Sequence, residues 1–276
     1  MIDERQWRLL HDWLPGAEVV TDHSWGLVGT TVLELRHDGT QYVAKAGDPA
    51  DHHIAREIRA HREWLEPWTS RGRAPQLVQA DAEAKLLLTR YLPGELVQGT
   101  DYEQLPDTYL QAGELLVRFH QQLAIEDPEF EAREKAKSLA ALGKPHRIAP
   151  ELTERLRAEI ESWPTPATTL VPTHGDWQPR NWLVHGGVVS VIDFGRAGLR
   201  PAFTDFARLA VQQFQRNSAL ESAFLQGYGT DPREPEAWHR NRLREAIGTA
   251  VWAYQVRDEG FEQQGHRMIA EALAES

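Results

Sequence analysis

Two short segments decide the fold of this chain: HGDWQPRN at residues 174–181 and, eleven residues further on, IDFG at residues 192–195. They contain two carboxylates, Asp176 and Asp193, and one carboxamide, Asn181. A transferring phosphoryl group requires a positioned hydroxyl and a metal ion that neutralises its charge. Asp176 can orient such a hydroxyl as a catalytic base, and Asn181 and Asp193 can hold Mg²⁺ against nucleotide phosphates. The spacing therefore predicts a phosphoryl-transfer site.

The surroundings of these three residues agree with the prediction. Pro179 places a turn between Asp176 and Asn181, which lets both side chains point into one cleft. Asp193 follows the apolar segment 189–192, so it is expected to emerge from the end of a strand with its carboxylate free. The alternative for Asp176 is an ordinary turn or helix-capping aspartate.

A second pair of charged residues lies in the N-terminal part of the chain. Lys45 is near the end of a predicted strand at residues 41–46, where it can reach nucleotide phosphates as a point charge. Glu57 lies in a predicted helix at residues 51–64 and can pair with Lys45. Each residue alone would be interpreted as solvated, but together with the downstream segments they indicate a phosphate clamp.

Other polar or glycine-rich segments are less specific. Gly26 and Gly29 lie between the first two predicted strands, where backbone N–H groups could approach phosphates. Two glycines three residues apart also fit an ordinary hairpin loop. His174 is expected to stabilise its loop, because no second histidine stands at a metal-ligand spacing from it. The His-His pair at residues 52–53 is interpreted as a solvated helix start, with a paired-histidine metal site as the alternative.

Composition and charge exclude several classes of protein. The 276 residues have 41% hydrophobic content and a net charge of −11, whereas a nucleic-acid binder would be basic on at least one face. The absence of cysteine excludes disulfides and thiolate metal sites. The charged N-terminus lacks a signal-peptide core, and no apolar stretch approaches the roughly 20 residues of a membrane helix. We therefore expect a cytoplasmic protein with no membrane or nucleic-acid partner, as a monomer or homodimer.

The order of predicted elements indicates an α+β, bilobal organisation. Residues 1–93 are predicted to form a small β-rich lobe that binds the nucleotide. Residues 94–276 are predicted to form a larger, mostly helical lobe that carries the catalytic residues and the acceptor. A strong turn signal at residues 38–39 and a second hairpin around residues 186–187 place strands in both parts.

The chain resembles the aminoglycoside phosphotransferase family, a branch of the protein-kinase-like fold that includes antibiotic and choline-type kinases. The matching features occur in family order over most of the chain: Lys45, Glu57, the segment 91–94, Phe119-His120, residues 174–181, residues 192–195 and residues 201–205. Arg180 stands where the family commonly has glycine, which adds a cation near the phosphates.

The resemblance implies a role for each matching residue. Asp176 would be the base, Asn181 and Asp193 the Mg²⁺ ligands, and Lys45 with Glu57 the clamp on the phosphates of ATP. The adenine base would bind the backbone of four consecutive residues: Thr89, Arg90, Tyr91 and Leu92. The glycine loop lacks a clear family signature, so GTP stays open as an alternative to ATP.

Two features of the sequence argue against a protein kinase. Gly175 replaces the arginine with which regulated protein kinases bind a phosphorylated activation loop. Five residues between Gly195 and Pro201 leave no length for an activation segment. A small-molecule acceptor is therefore expected.

The charge of the helical part suggests a cationic acceptor. Residues 95–161 contain fourteen acidic and eight basic residues, a local net charge of −6. Acidic residues near Trp238 and Trp252 would suit a polyamine or a basic peptide, although solvated helix faces and core tryptophans explain the same pattern. The first hypothesis is phosphorylation of a hydroxyl on an aminoglycoside or a basic cyclic peptide. The alternatives are a metabolic kinase for choline, ethanolamine, homoserine or an amino sugar, and a non-catalytic nucleotide-binding module.

Overall fold

The computed structural model describes residues 2–24 and 29–274. The strands are β1 Glu18–Asp22, β2 Thr30–His37, β3 Thr40–Gly47, β4 Leu77–Asp81, β5 Leu86–Arg90, β6 Glu95–Leu96, β7 Ile125–Asp127, β8 Thr168–Thr173, β9 Trp182–His185, β10 Val188–Val191 and β11 Gly198–Arg200. The helices are α1 Glu4–Trp13, α2 His53–Glu63, α3 Glu66–Thr69, α4 Pro106–His120, α5 Phe130–Leu142, α6 Pro150–Ser162, α7 Ala207–Leu209, α8 Ser218–Tyr228, α9 Pro235–Val256 and α10 Glu259–Ala274. The predicted α+β class is confirmed.

The chain divides into two compact units. The first comprises Met1–Leu123, Pro172–Leu199 and Arg208–Thr230, and the second comprises Ala124–Val171, Arg200–Ala207 and Asp231–Ser276. The lobe boundary predicted after residue 93 falls inside the first unit. The division into a nucleotide-binding lobe and a catalytic lobe therefore stays a prediction.

An antiparallel sheet of order β1–β2–β3–β5–β4 forms the N-terminal part of the first unit. The turn between β2 and β3 consists of Asp38 and Gly39, whose φ angles of 47° and 72° suit a two-residue hairpin. The resulting register places Lys45 of β3 opposite Val32 on one side and Leu87 on the other. Lys45 is thus held on an interior strand, where its backbone is paired on both edges.

Helix α2 packs on this sheet through an apolar face. Ile54 and Ile58 form a buried cluster with Leu87 of β5. Asp51 satisfies the first turn of α2, because its carboxylate accepts hydrogen bonds from the backbone N–H groups of His53 and Ile54. The packing brings the buried Glu57 of α2 beside the strand that carries Lys45.

The rest of the first unit supports the loop at residues 174–181. Strands β10, β9 and β6 form a second antiparallel sheet, with Gly186 and Gly187 in the hairpin turn. Helices α4 and α8 approach so closely that a Cβ on Gly113 or Gly227 would collide with the backbone of the opposite helix. Below the loop, the ring of Trp68 stacks on those of Phe119 and Trp177, at centroid distances of 4.2 and 5.6 Å.

The second unit has its own apolar core. Residues from α5, α6, α9 and α10 share it, among them Leu142, Leu156, Leu243 and Ile269. Strands β7 and β8 pair antiparallel, with Ile125 opposite Leu170. Among the described helices, none is long and apolar enough to cross a membrane.

Candidate active site

Lys45 joins the three elements that the sequence predicted to meet. Its Nζ donates to Oε1 of Glu57 at 2.8 Å and to Oδ1 of Asp193 at 3.4 Å. Strand β3, helix α2 and the turn after β10 therefore converge on one ammonium group. This is the arrangement expected of a phosphate clamp beside a metal ligand.

Electrostatics keep Lys45 charged. Burial opposes its charge, but the carboxylates of Glu57 and Asp193 outweigh this and raise the pKa of Lys45 above its usual range. In return, the Lys45 ammonium lowers the pKa of Asp193. Burial raises the pKa of Glu57, and the Lys45 ammonium opposes that effect. The 2.8 Å contact satisfies both members of the Lys45–Glu57 pair.

The backbone turns at Asp193 and separates its side chain from that of Phe194. Asp193 has φ 68°, a left-handed conformation that aspartate tolerates better than most residues. The Asp193 side chain is 51% exposed, whereas Phe194 is fully buried. The Phe194 ring contacts those of His61 and His174, each at 5.4 Å between centroids. Phe194 thus anchors the turn that presents the Asp193 carboxylate.

His174 holds the loop before Asp176. Its Nδ1 accepts from the backbone N–H of Asp176 at 3.2 Å, and its Nε2 lies 3.1 Å from the carbonyl of Ile192. These partners require the neutral tautomer with the proton on Nε2. The histidine links the two key segments, in agreement with the loop-stabilising role expected from the sequence.

Asp176 is surrounded by hydrogen-bond donors. Its Oδ1 accepts from Gln178 Nε2 at 2.6 Å and lies 2.7 Å from Nε of Arg208. Its Oδ2 accepts from Nη2 of Arg180 at 2.7 Å and from Nδ2 of Asn181 at 3.0 Å. Within the described part of the chain, these four side-chain donors match the roughly four lone-pair positions of a carboxylate.

This environment fixes Asp176 as a carboxylate. Burial opposes its ionisation, but the guanidinium groups of Arg208, Arg180 and Arg196 more than compensate and lower the pKa of Asp176 to about 2. From the sequence, Arg180 is expected as a cation near the phosphates, whereas the contact of Arg208 with Asp176 is visible only in the structure. Arg208 lies far along the chain in α7, and no local pattern connects it to the loop.

Asn181 is oriented by the same network. Its side-chain Nδ2 also donates to the backbone carbonyl of Asp176 at 2.7 Å. The backbone carbonyl of Asn181 accepts from the backbone N–H of Ile192 at 3.0 Å. Because the amide nitrogen serves Asp176, Oδ1 is the atom of Asn181 left for a cation. The backbone bond to Ile192 brings Asn181 next to the residue that precedes Asp193. The two predicted metal ligands therefore lie on adjoining segments.

The segment predicted to bind adenine follows β5. Thr89 and Arg90 close the strand, and the guanidinium of Arg90 lies over the ring of Tyr42 at 4.9 Å. The backbone N–H of Tyr91 donates to the carbonyl of Gln41 at 3.1 Å. This N–H is therefore already paired within the protein, and Thr89 and Arg90 lie in a strand that pairs with both β3 and β4.

Of the two glycines in the predicted phosphate loop, the structure describes only Gly29. Gly26 lies outside the described residues. Gly29 packs so closely on Asp48 that an added Cβ would overlap its carboxylate, and the Gly29 carbonyl accepts from the Asp48 N–H at 2.9 Å. A side chain at position 29 would thus displace Asp48.

Some residues suggested by the sequence have structural roles. Glu234 caps α9, because its carboxylate accepts from the backbone N–H groups of Glu236 and Ala237. The sequence predicts a solvated helix start at His53, but its Nδ1 lies 3.0 Å from the carbonyl of Gly195. His53 therefore ties the start of α2 to the turn that follows Asp193. Trp252 of α9 is 53% exposed and contacts Phe261 edge to face.

Comparison with known proteins identifies the family. The sequence model of the phosphotransferase enzyme family (APH) matches residues 20–242. No protein of curated function matches the chain in sequence.

Several solved structures resemble the fold over nearly its whole length. The complex of gentamicin with APH(2")-IIa has a TM-score of 0.66 at 16% identity, covering 98% of this chain and 96% of that one. Choline kinase LicA from Streptococcus pneumoniae has a TM-score of 0.65 at 14% identity, with coverage of 98% and 97%. Macrolide 2'-phosphotransferase MphH from Brachybacterium faecium has a TM-score of 0.60 at 17% identity, with coverage of 95% of each chain.

These likenesses confirm the predicted kinase-like fold, and the family match spans well over half of the chain. The chain therefore belongs to the phosphotransferase enzyme family.

Proposed function

We propose that this phosphotransferase uses Mg²⁺ and ATP to phosphorylate a hydroxyl group of a small cationic molecule. The observation that carries the proposal is the contact of Lys45 with both Glu57 and Asp193. A lysine held between a buried helix carboxylate and a half-exposed carboxylate suits a site that aligns phosphates next to a metal ion. GTP is the alternative nucleotide.

The donor atoms at residues 181 and 193 fit magnesium. Mg²⁺ prefers oxygen ligands and is commonly bound through one or two protein groups together with phosphates and water. Asn181 would supply Oδ1 and Asp193 its half-exposed carboxylate. Within residues 2–24 and 29–274, no group of three or more His, Asp or Glu is arranged to hold a metal. Because Mg²⁺ at such sites shares its coordination with substrate phosphates, nucleotide phosphates would complete the shell, and the bound ion would neutralise charge on the transferred group.

The role of Asp176 follows from its environment. A carboxylate with a pKa of about 2 stays ionised throughout the neutral range. Such a weak base favours orientation of the acceptor hydroxyl, with proton transfer late in the reaction, when the hydroxyl has become acidic. The buried amides of Gln178 and Asn181 hold the carboxylate in place for that purpose.

The acceptor class rests on charge. The acidic excess of residues 95–161, within a chain of net charge −11, would attract a cation. The related folds include a gentamicin-bound phosphotransferase and a choline kinase. An aminoglycoside or a basic cyclic peptide is the acceptor that we favour. A metabolic amino alcohol or amino sugar is the second candidate, and it shares the positive charge.

The metal assignment is tested by Asp193→Asn. This variant keeps the side-chain shape and the tolerance for a left-handed backbone but removes the charge of the ligand. We expect Mg²⁺-dependent turnover of ATP with the acceptor to fall by about 100-fold or more. Asp38→Asn is a matched control, since Asp38 also has positive φ (47°) and lies at an exposed turn. Equal activity of Asp193→Asn and wild type would refute the metal assignment.

The acceptor is identified by a panel of aminoglycosides, basic peptides, choline, ethanolamine, homoserine and glucosamine, with ADP release as the readout. Phosphorylation of an antibiotic, together with resistance in a susceptible bacterium that Asp176→Ala abolishes, would support the favoured acceptor. Turnover of one metabolite with unchanged antibiotic sensitivity would support the second. Tight nucleotide binding without turnover of any compound would favour a non-catalytic module.

A further inference from the structure

The carboxylate of Asp176 has no position left for an acceptor hydroxyl. Four side-chain donors of the described chain, from Gln178, Arg180, Asn181 and Arg208, already contact its two oxygens at 2.6–3.0 Å. An ionised carboxylate offers about four lone-pair positions. A hydroxyl can therefore be oriented by Asp176 only after one of these donors has moved.

The donors differ in how firmly they are held. Gln178 and Asn181 are buried, and Asn181 is also bonded to the backbone of Asp176. Arg208 contacts the carboxylate through Nε, so its departure would require the whole side chain to move. Arg180 touches Oδ2 only through its terminal Nη2, and its side chain is 34% exposed. Arg180 is thus the donor that can leave with the smallest rearrangement.

A second anionic partner would lie within reach of Arg180. The residue belongs to the short turn Pro179–Asn181, directly before the proposed metal ligand Asn181. Any phosphate bound to a metal at Asn181 and Asp193 would lie close to this turn. Guanidinium groups bind phosphate oxygens through strong, charge-assisted hydrogen bonds.

We propose that Arg180 exchanges partners during the catalytic cycle: its guanidinium group moves away from Oδ2 of Asp176 and binds the γ-phosphate of ATP. The exchange opens an acceptor position on Asp176 only when a nucleotide with a γ-phosphate is in place. It also brings a cation to the group that is transferred. Arg208 stays on Oδ1 as a positioning residue. The inference rests on the proposed function, because it requires a nucleotide bound beside Asp176.

The test compares binding of Mg·ADP and Mg·AMP-PNP by calorimetry in wild type and Arg180→Gln. One charge-assisted bond to the γ-phosphate corresponds to about a tenfold preference. We expect Arg180→Gln to lower the ratio of AMP-PNP to ADP affinity about tenfold, chiefly by weakening AMP-PNP. Arg180→Lys keeps the charge and is expected to retain part of the preference. Arg208→Gln removes a cation from the same carboxylate and should leave the ratio within about twofold.

The outcomes separate the two proposals. An unchanged ratio in Arg180→Gln, or an equal fall in Arg208→Gln, would overturn the exchange while leaving the nucleotide site intact. Failure of the wild type to bind either nucleotide would overturn the proposed function and the exchange with it. Arg180→Ala repeats the measurement without a polar side chain, after its melting temperature has been shown to be unchanged. It must show the same fall in the ratio of AMP-PNP to ADP affinity.

Discussion

Each of the two units contains a buried carboxylate that contacts two arginines. The two sites differ in how far the arginine side chains are exposed to solvent. In the second unit, Glu131 of α5 contacts Nη2 of Arg244 at 2.5 Å and Nε of Arg240 at 3.4 Å. Both guanidinium side chains are at most 10% exposed. In the first unit, Arg180 and Arg208 on Asp176 are 34% and 26% exposed.

The comparison teaches how the same chemistry serves two purposes. A carboxylate and two arginines buried together form a fixed structural pair, since exchange with water or ligand is blocked. The carboxylate of Asp176 is also buried, but its partly exposed arginines can move to another partner at a lower cost than fully buried ones. Exposure of the cations, more than burial of the anion, distinguishes the candidate active site from the structural cluster.

The largest effect is expected for Asp176→Asn. Loss of the charge removes the group that orients the hydroxyl, so kcat should fall by about 100- to 10,000-fold. Steady-state kinetics with the acceptor found in the panel measure the effect. Glu131→Gln makes the same chemical change in the other cluster and should keep kcat within a few-fold while the protein is folded. Equal losses of kcat in the two variants would break the comparison.

The second effect concerns stability. Glu131→Gln removes the carboxylate charge that both buried guanidinium groups contact, so the free energy of unfolding should fall by about 3 kcal/mol. Urea unfolding followed by circular dichroism measures it. Glu129→Gln is the matched control, because the Glu129 side chain is 80% exposed on the same segment, and it should change stability by less than about 0.5 kcal/mol. A similar stability of both variants would show that the buried cluster contributes little.

The third effect concerns the pH dependence of stability that arises from His61, a histidine whose two ring nitrogens are buried. Among the described residues, neither ring nitrogen of His61 has a hydrogen-bond partner. Burial, together with the Lys45 charge, lowers the pKa of His61 from 6.5 to about 3. The unfolded chain therefore binds the proton more readily between these values, and stability should fall as the pH drops below 6.5, by about 1 kcal/mol per pH unit.

His61→Leu should remove this part of the pH dependence and raise the free energy of unfolding at neutral pH, because it removes the two unpaired ring nitrogens at this position. Unfolding at pH 7, 6 and 5 in wild type and variant measures the difference. His11→Leu, at an exposed position of α1, controls for the change in hydrophobicity. Parallel pH curves for wild type and His61→Leu would contradict the expectation.

Much of the fold followed from local patterns. The hairpin at Asp38-Gly39 was predicted because only a few residue types adopt the left-handed conformation that it needs. The helices at residues 53–63 and 106–120 were predicted from apolar spacing. Strands β4, β6, β7, β8 and β11 were not predicted. They are short or lack a run of apolar residues. Strands β6, β7, β8 and β11 pair with partners distant in the chain, whereas β4 pairs with the neighbouring β5.

The candidate site could be predicted only in part, because some of its contacts involve residues that are distant in the chain. Lys45, Glu57 and Asp193 were named from residue type and order, and they meet in the structure. The contact of Arg208 with Asp176 was missed, as was the occupied N–H of Tyr91 in the predicted adenine segment. In both cases the partner comes from a distant segment, so neither is visible in a local window.

Residue types and their spacing were enough to indicate which groups are available for chemistry, because the residues that hold a phosphate and a metal must be of a few types at limited spacings. How those groups are restrained depends on the folded chain. Asp176 and Glu131 are both acidic residues, and residue type does not distinguish their roles. One partner of Asp176, Arg180, is close in sequence, but Arg208 comes from α7, and both partners of Glu131 come from α9. The exposure of these arginines depends on the packing around them. Burial and long-range pairing arise from the folded chain as a whole, and no local segment encodes them.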